Sequence, residues 1–161
     1  MTTGGFNSAQ LALEEQVLIL PAFDEAAALE IGTIALSLAS DRALGIAIEV
    51  RLGDWTVFHA SLPGSTAAND SWIARKARVV RATGHSTMFE RVRAEEAGID
   101  WYSHYQRPEV DFAIHGGGLP LITSGEGHVG TLLISGLPQV EDHLLGVEIL
   151  TEYLARKGEL L

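Results

Sequence analysis

His115, His128 and His143 fall within one stretch, Phe112 to Leu145, FAIHGGGLPLITSGEGHVGTLLISGLPQVEDHLL. Imidazole titrates near neutrality and binds transition metals, so a histidine beside a cavity is a candidate proton carrier or metal ligand. His115 runs straight into Gly116-Gly117-Gly118. Glycine permits backbone angles and close approaches that other residues forbid, which suggests a pocket rim or a tight sheet edge. The His-Gly-Gly-Gly string resembles the oxyanion-hole segment of esterases, but that chemistry also needs a Gly-x-Ser-x-Gly nucleophile elbow, and the chain has none. A tight turn is the simpler expectation. A metal site on His115, His128 and His143 finds no support in spacing, because no two histidines stand three or four residues apart. Gly125-Glu126-Gly127 reads as a hairpin turn, since no nucleotide-binding spacing or helix follows it.

Lys76 is the second chemical signal. On a helix of about 100° per residue, Trp72, Ile73, Val79 and Val80 share its face, three and four residues to either side. An ammonium at the centre of an apolar stripe is costly unless paired or neutralised. Asn69 and Thr83, one heptad away on either side, continue a polar line along that face. Two readings stay open: Lys76 snorkels or pairs with a buried carboxylate, or it meets an anionic group of a ligand or partner subunit. Arg75, Arg78 and Arg81 fall toward the opposite side and read as a solvated face. His143 shares a face with Val140, Val147 and Leu150, so it is expected to point into the core. Asp142 beside it sits near a positive helix N-terminus, where a carboxylate is favoured.

These residues need elements to hold them. Asn7 or Ser8 starts a first helix that runs into Val17-Leu18-Ile19-Leu20 and stops at Pro21. Asp24 caps a second helix to about Ser40. The alternating Ile46, Ile48 and Val50 mark a strand over 45–51, paired through Leu52-Gly53-Asp54 with a strand over 55–60. Pro63-Gly64-Ser65-Thr66 opens a third helix over 67–83, which Gly84 closes. Thr87 and Glu90 have capping-box spacing for a fourth helix to about Ala97. Trp101 to Val110 reads as loop or short helix. Strands over 111–115, 119–123 and 128–135 follow, and Pro138 opens a last helix to about Lys157. The expectation is an α+β domain with helices packed on an antiparallel sheet of about five strands. It spans 1–161 as one unit with a loose tail over 1–8.

Composition narrows the function classes. With 161 residues and 47% hydrophobic content the chain can bury one sizeable core. A net charge of −10 argues against nucleic acid as partner. No apolar run approaches membrane-spanning length, and the N-terminus lacks a basic, then apolar secretory pattern. With no cysteine there is no disulfide, thiolate site or cysteine nucleophile. A cytoplasmic protein without membrane contact is the expectation.

Leu62-Pro63-Gly64-Ser65-Thr66, Asn69-Asp70-Ser71-Trp72-Ile73, Arg75-Lys76 and Gly84-His85-Ser86 resemble motifs of the GlcG/HbpS-like family, in its heme-degrading domain-containing branch. His115-Gly116-Gly117, Pro120, Val129-Gly130, Ser135-Gly136-Leu137-Pro138-Gln139 and Asp142-His143 continue the series in order. The resemblance covers roughly 13–150. It implies a profilin-like α/β/α domain around a five-stranded antiparallel sheet, assembled as a homo-oligomer. It also implies heme binding or degradation, or else a small-molecule, corrinoid-related binding module or non-catalytic scaffold. Wheel and motifs together nominate Asn69, Trp72, Lys76, His85, His115, Gly116, Gly117, Ser135, Asp142 and His143 as ligand-binding residues. His115 and His143 are the candidate heme-iron ligands, with His85 a third choice. Without a Cys-x-x-Cys-His attachment, any heme would be held non-covalently.

Overall fold

The computed structural model describes residues 3–159. Its elements are α1 (Ser8–Val17), α2 (Glu25–Asp41), β1 (Ala47–Leu52), β2 (Trp55–Ser61), α3 (Ala67–Thr83), α4 (Thr87–Ala97), α5 (Trp101–His104), β3 (Gly118–Thr123), β4 (Gly127–Ser135) and α6 (Gln139–Arg156). The strands form one antiparallel sheet in the order β2-β1-β4-β3. Alternation divides its two faces. Ile48, Val50, Leu132 and Ile134 pack with Leu119 and Leu121 beneath α2 and α6 and form the main core. Ala47 and Leu133 turn the other way, against Ile73 and Ala77 of α3.

Local chemistry sets the helix limits. The Asn7 and Asp24 side chains accept from Gln10 N and Ala27 N at the starts of α1 and α2. Gly84 ends α3 in the left-handed region at φ 73°. Two expectations shift by a residue. Ser86, not Thr87, caps α4, because its side chain accepts from Phe89 N. Thr87 is buried instead, and its hydroxyl accepts from Gly118 N at the start of β3. Pro138 precedes α6 rather than occupying its first position.

Among the described residues the sheet has four strands, not five. The segment 111–115 runs as turn and loop although its residues suggested a strand. Its backbone groups are taken up elsewhere: Ala113 N donates to Arg75 O of α3, Ile114 N to Tyr102 Oη, and Ile114 O accepts from Arg91 Nε. A backbone bonded to helices cannot also join a ladder. The outer edge of β3 meets Leu20 instead, in a single parallel bridge to Thr123. Of the expected loose tail, Phe6 packs edge-on against the His143 ring and Ser8 already belongs to α1, while residues 1–2 lie outside the described residues.

Candidate functional site

At the end of the sheet where β4 hands over to α6, a cavity of about 290 Å³ opens between α3, the His115 turn and the first turn of α6. Asn69, Trp72 and Lys76 line it from α3, Ser135, Gly136 and Leu137 from the β4–α6 connection, Gln139 and Asp142 from α6, and His115 from the glycine turn. The spacing along α3 explains the first three: positions 69, 72 and 76 follow one another up a single helical face.

Lys76 is the pivot of the cavity wall. Only 2% exposed, it donates from Nζ to Ile134 O at 2.9 Å and to Asp142 Oδ2 at 3.3 Å. Burial lowers its pKa against the raising pull of Asp142. Asp142 answers in the opposite sense, pushed up to about 6 by burial although Lys76 and the N–H groups of Leu137 and Gly136 favour its charge. Gly117 makes this meeting possible. At φ 125°, a side chain there would overlap Ile134 O and crowd both Lys76 Nζ and Asp142 Cβ. Gly116 lies in the same wall, its N–H donating to Gln139 Oε1 at 3.2 Å.

His115 stands at the far side, its ring edge-on to Trp72 with centroids 4.7 Å apart. Its Nδ1 is buried and has no hydrogen-bond partner among the described residues. Burial first, then the charges of Arg91, Lys76 and Arg75, push its pKa down to about 4, so the ring is neutral at pH 7. Arg75 is not the solvated cation the wheel suggested: its guanidinium lies 4.5 Å over the Trp72 ring and donates to Glu109 O. Arg78 similarly donates to Asp111 O, whereas Arg81 pairs in solvent with Asp54. Asn69 connects α3 to the strand end, its Nδ2 donating to Ser135 Oγ at 3.3 Å while its Oδ1 accepts from Thr66 N.

Two nominated histidines lie elsewhere. His85 stacks on Phe89 with centroids 4.2 Å apart and shares its Nδ1 with Glu15 Oε1 at 2.8 Å, a hydrogen bond that raises its pKa. His143 faces the core, fully buried, with Nε2 on Glu14 Oε1 at 2.7 Å. His128 borders a separate pocket with Arg81. Among the described residues no three His, Asp or Glu side chains are arranged to hold a metal ion. Residue spacing gave no hint of Leu137, Gln139 or Arg91 at this site. For the first two, the signal was the motif Ser135-Gly136-Leu137-Pro138-Gln139 at the end of a predicted strand.

The fold and this cavity define a class: a small α/β domain with one polar pocket where a strand passes into a helix. The chain matches the family described as haem degrading protein HbpS-like over residues 23–151, and it belongs to that family. A UPF0303 protein of Streptomyces avermitilis is 40% identical over 91% of this chain and 90% of its own length. A UPF0303 protein of Brucella anthropi is 37% identical over 92% and 88%. Among solved structures, the Ybr137w protein superposes with a TM-score of 0.85 at 25% identity, covering 92% of this chain and 88% of its own. The fold also matches a PduOC:heme complex, with a TM-score of 0.68 at 16% identity over 81% and 94% of the two chains. No described helix is long and apolar enough to cross a membrane.

Proposed function

We propose that this chain is a small-molecule-binding protein whose ligand, a compact carboxylate-bearing compound, occupies the cavity between α3, the His115 turn and α6. The observation that carries the reading is Lys76, a buried ammonium held on the cavity wall by one carboxylate partner. Arg75 and Arg91 add positive field on the His115 side, which favours an anion there. Trp72 supplies a flat apolar wall, and Ser135 and Asn69 supply hydroxyl and amide groups that can fix a ligand's orientation. The protein self-associates in this reading.

Heme is the second reading, favoured by the family's description and by one side chain. The cavity of about 290 Å³ lies just below the roughly 300–1,000 Å³ range of ligand pockets and suits a compact ligand better than a porphyrin. His143 does not fit either, being sealed and bonded at Nε2. His85 does fit: its side chain is 39% exposed and Glu15 fixes Nδ1, the orientation that prepares an imidazole to ligate through Nε2. When bound, heme would supply the iron at which oxygen chemistry occurs.

One experiment separates the two. Isotope-labelled protein is titrated with small carboxylates and, separately, with hemin. Saturable shifts confined to the Trp72 indole, Ser135 and Gln139 are the expected result for the carboxylates; none at these groups overturns the cavity reading. A saturable Soret shift abolished by His85→Ala and kept by His115→Ala supports the heme reading. A Soret shift indifferent to His85→Ala removes His85 as the ligand, and no saturable shift in the wild type removes the heme reading.

A further inference from the structure

The geometry points to a covalent activity at this cavity: Lys76 Nζ forms an imine with a small carbonyl compound carrying a carboxylate, of 2-oxo-acid type, and Asp142 carries the protons. The inference rests on the cavity being the ligand site and goes beyond binding. Three observations carry it.

The amine and the acid face each other in a nearly dry wall. Lys76 and Asp142 are both 2% exposed, and the 3.3 Å between Nζ and Oδ2 exceeds the roughly 2.7–2.9 Å of a tight charge-assisted hydrogen bond. Burial disfavours both charges, moving Lys76 down and Asp142 up. Imine formation requires one proton to pass from Nζ to the carboxylate, which gives the neutral amine a lysine needs in order to attack a carbonyl. Second, Gly117 lets the amine and the acid meet at the cavity wall, since a side chain there would crowd both. Third, the rest of the lining suits an oxo acid. The Ser135 hydroxyl and Asn69 amide offer hydrogen bonds to its oxygens, and the positive field that depresses His115 favours its carboxylate.

The step balances without any oxidant or reductant. The Nζ lone pair attacks the carbonyl carbon, the C–N bond forms, and the C=O π pair moves to oxygen, which takes the proton of the Asp142 carboxyl. The carboxylate so formed removes a proton from nitrogen. It then returns that proton to the hydroxyl, which departs as water as the nitrogen pair closes the C=N bond. A protonated imine remains beside the Asp142 carboxylate. Amine plus carbonyl gives imine plus water, and hydrolysis runs the sequence backward.

Lys157, the other lysine of the chain, is an internal control, because it pairs with Glu30 near the surface and its pKa is raised. Wild-type protein is incubated with pyruvate and sodium cyanoborohydride and mapped by peptide mass spectrometry. The expected result is a reduced adduct on Lys76 in excess over Lys157 and the N-terminus. Asp142→Asn is expected to lose most of that label. Label confined to Lys157 and the N-terminus, with pyruvate shifting Trp72, overturns the imine and leaves the binding site standing. Absence of any Trp72 shift with every carboxylate tested sinks the binding reading itself. Because the wild type carries the decisive measurement, failure of a variant to fold does not obscure the answer.

Discussion

Lys76 and Asp142 illustrate how a buried ion pair differs from a stabilising one. Each is nearly sealed from solvent, so each loses hydration on folding, and their mutual attraction offsets that cost only in part. Removing one partner strands the other. Lys76→Met is therefore expected to destabilise the fold by about 3–5 kcal/mol, because Asp142 then faces the interior with only the N–H groups of Gly136 and Leu137. The double variant Lys76→Met with Asp142→Leu is expected to recover most of the loss, since it removes both desolvation costs at similar volume. Urea unfolding of the wild type, both single variants and the double variant measures this. If Lys76→Met alone were as stable as the wild type, Asp142 would not depend on Lys76 inside the fold and the pair would not act as a unit.

At the scale of elements, α1 is the piece held most by side-chain chemistry. Leu11 packs on Met88, Phe89 and Val92 of α4, and successive carboxylates pin the helix at its far end: Glu14 to His143 on α6, Glu15 to His85 on the α3–α4 turn. The Glu15 hydrogen bond raises the His85 pKa above its ordinary 6.5. A raised folded-state pKa gives stability that is fully present below the unfolded value and lost as pH rises through the folded one. Amide exchange in α1, corrected for its intrinsic pH dependence, is accordingly expected to show weaker protection above pH 6.5 than below it. Glu15→Gln should abolish that difference, and a wild-type helix equally protected on both sides would refute the latch. None of this was legible beforehand. Glu14 and His143 stand 129 residues apart and Glu15 and His85 70 apart, and no local pattern reports such pairings. What the sequence did disclose was periodic or punctuated: the span of α3, between Thr66 and Gly84, and the polar line of Asn69 and Lys76 on its apolar face. The segment 111–115 shows the limit. Its composition suits a strand, yet Arg75 O, Tyr102 and Arg91 claim its backbone from helices no short window includes.

The whole molecule carries a net charge of −10, so two copies repel at long range and exposed apolar surface is the natural source of any self-association. That surface exists. Leu13 and Val17 are 61% and 59% exposed and lie one helical turn apart on α1, and Trp55 is 58% exposed at the β1–β2 turn. β2 is also an edge strand, with β1 as its one neighbour in the sheet. Its exposed polar residues, Thr56, His59 and Ser61, make the edge itself a poor apolar contact. The α1 face is thus the better candidate for contact between copies. Added salt screens repulsion between exposed charges more than about 10 Å apart at 0.1 M and leaves apolar burial intact. Self-association through α1 is therefore expected to strengthen between low and moderate salt, whereas assembly built on ion pairs would weaken. Sedimentation velocity across that range distinguishes the two, and Leu13→Lys with Val17→Lys is expected to shift the protein toward monomer at every salt concentration. A monomeric wild type, or an oligomer indifferent to both substitutions, would place the contact elsewhere or remove it.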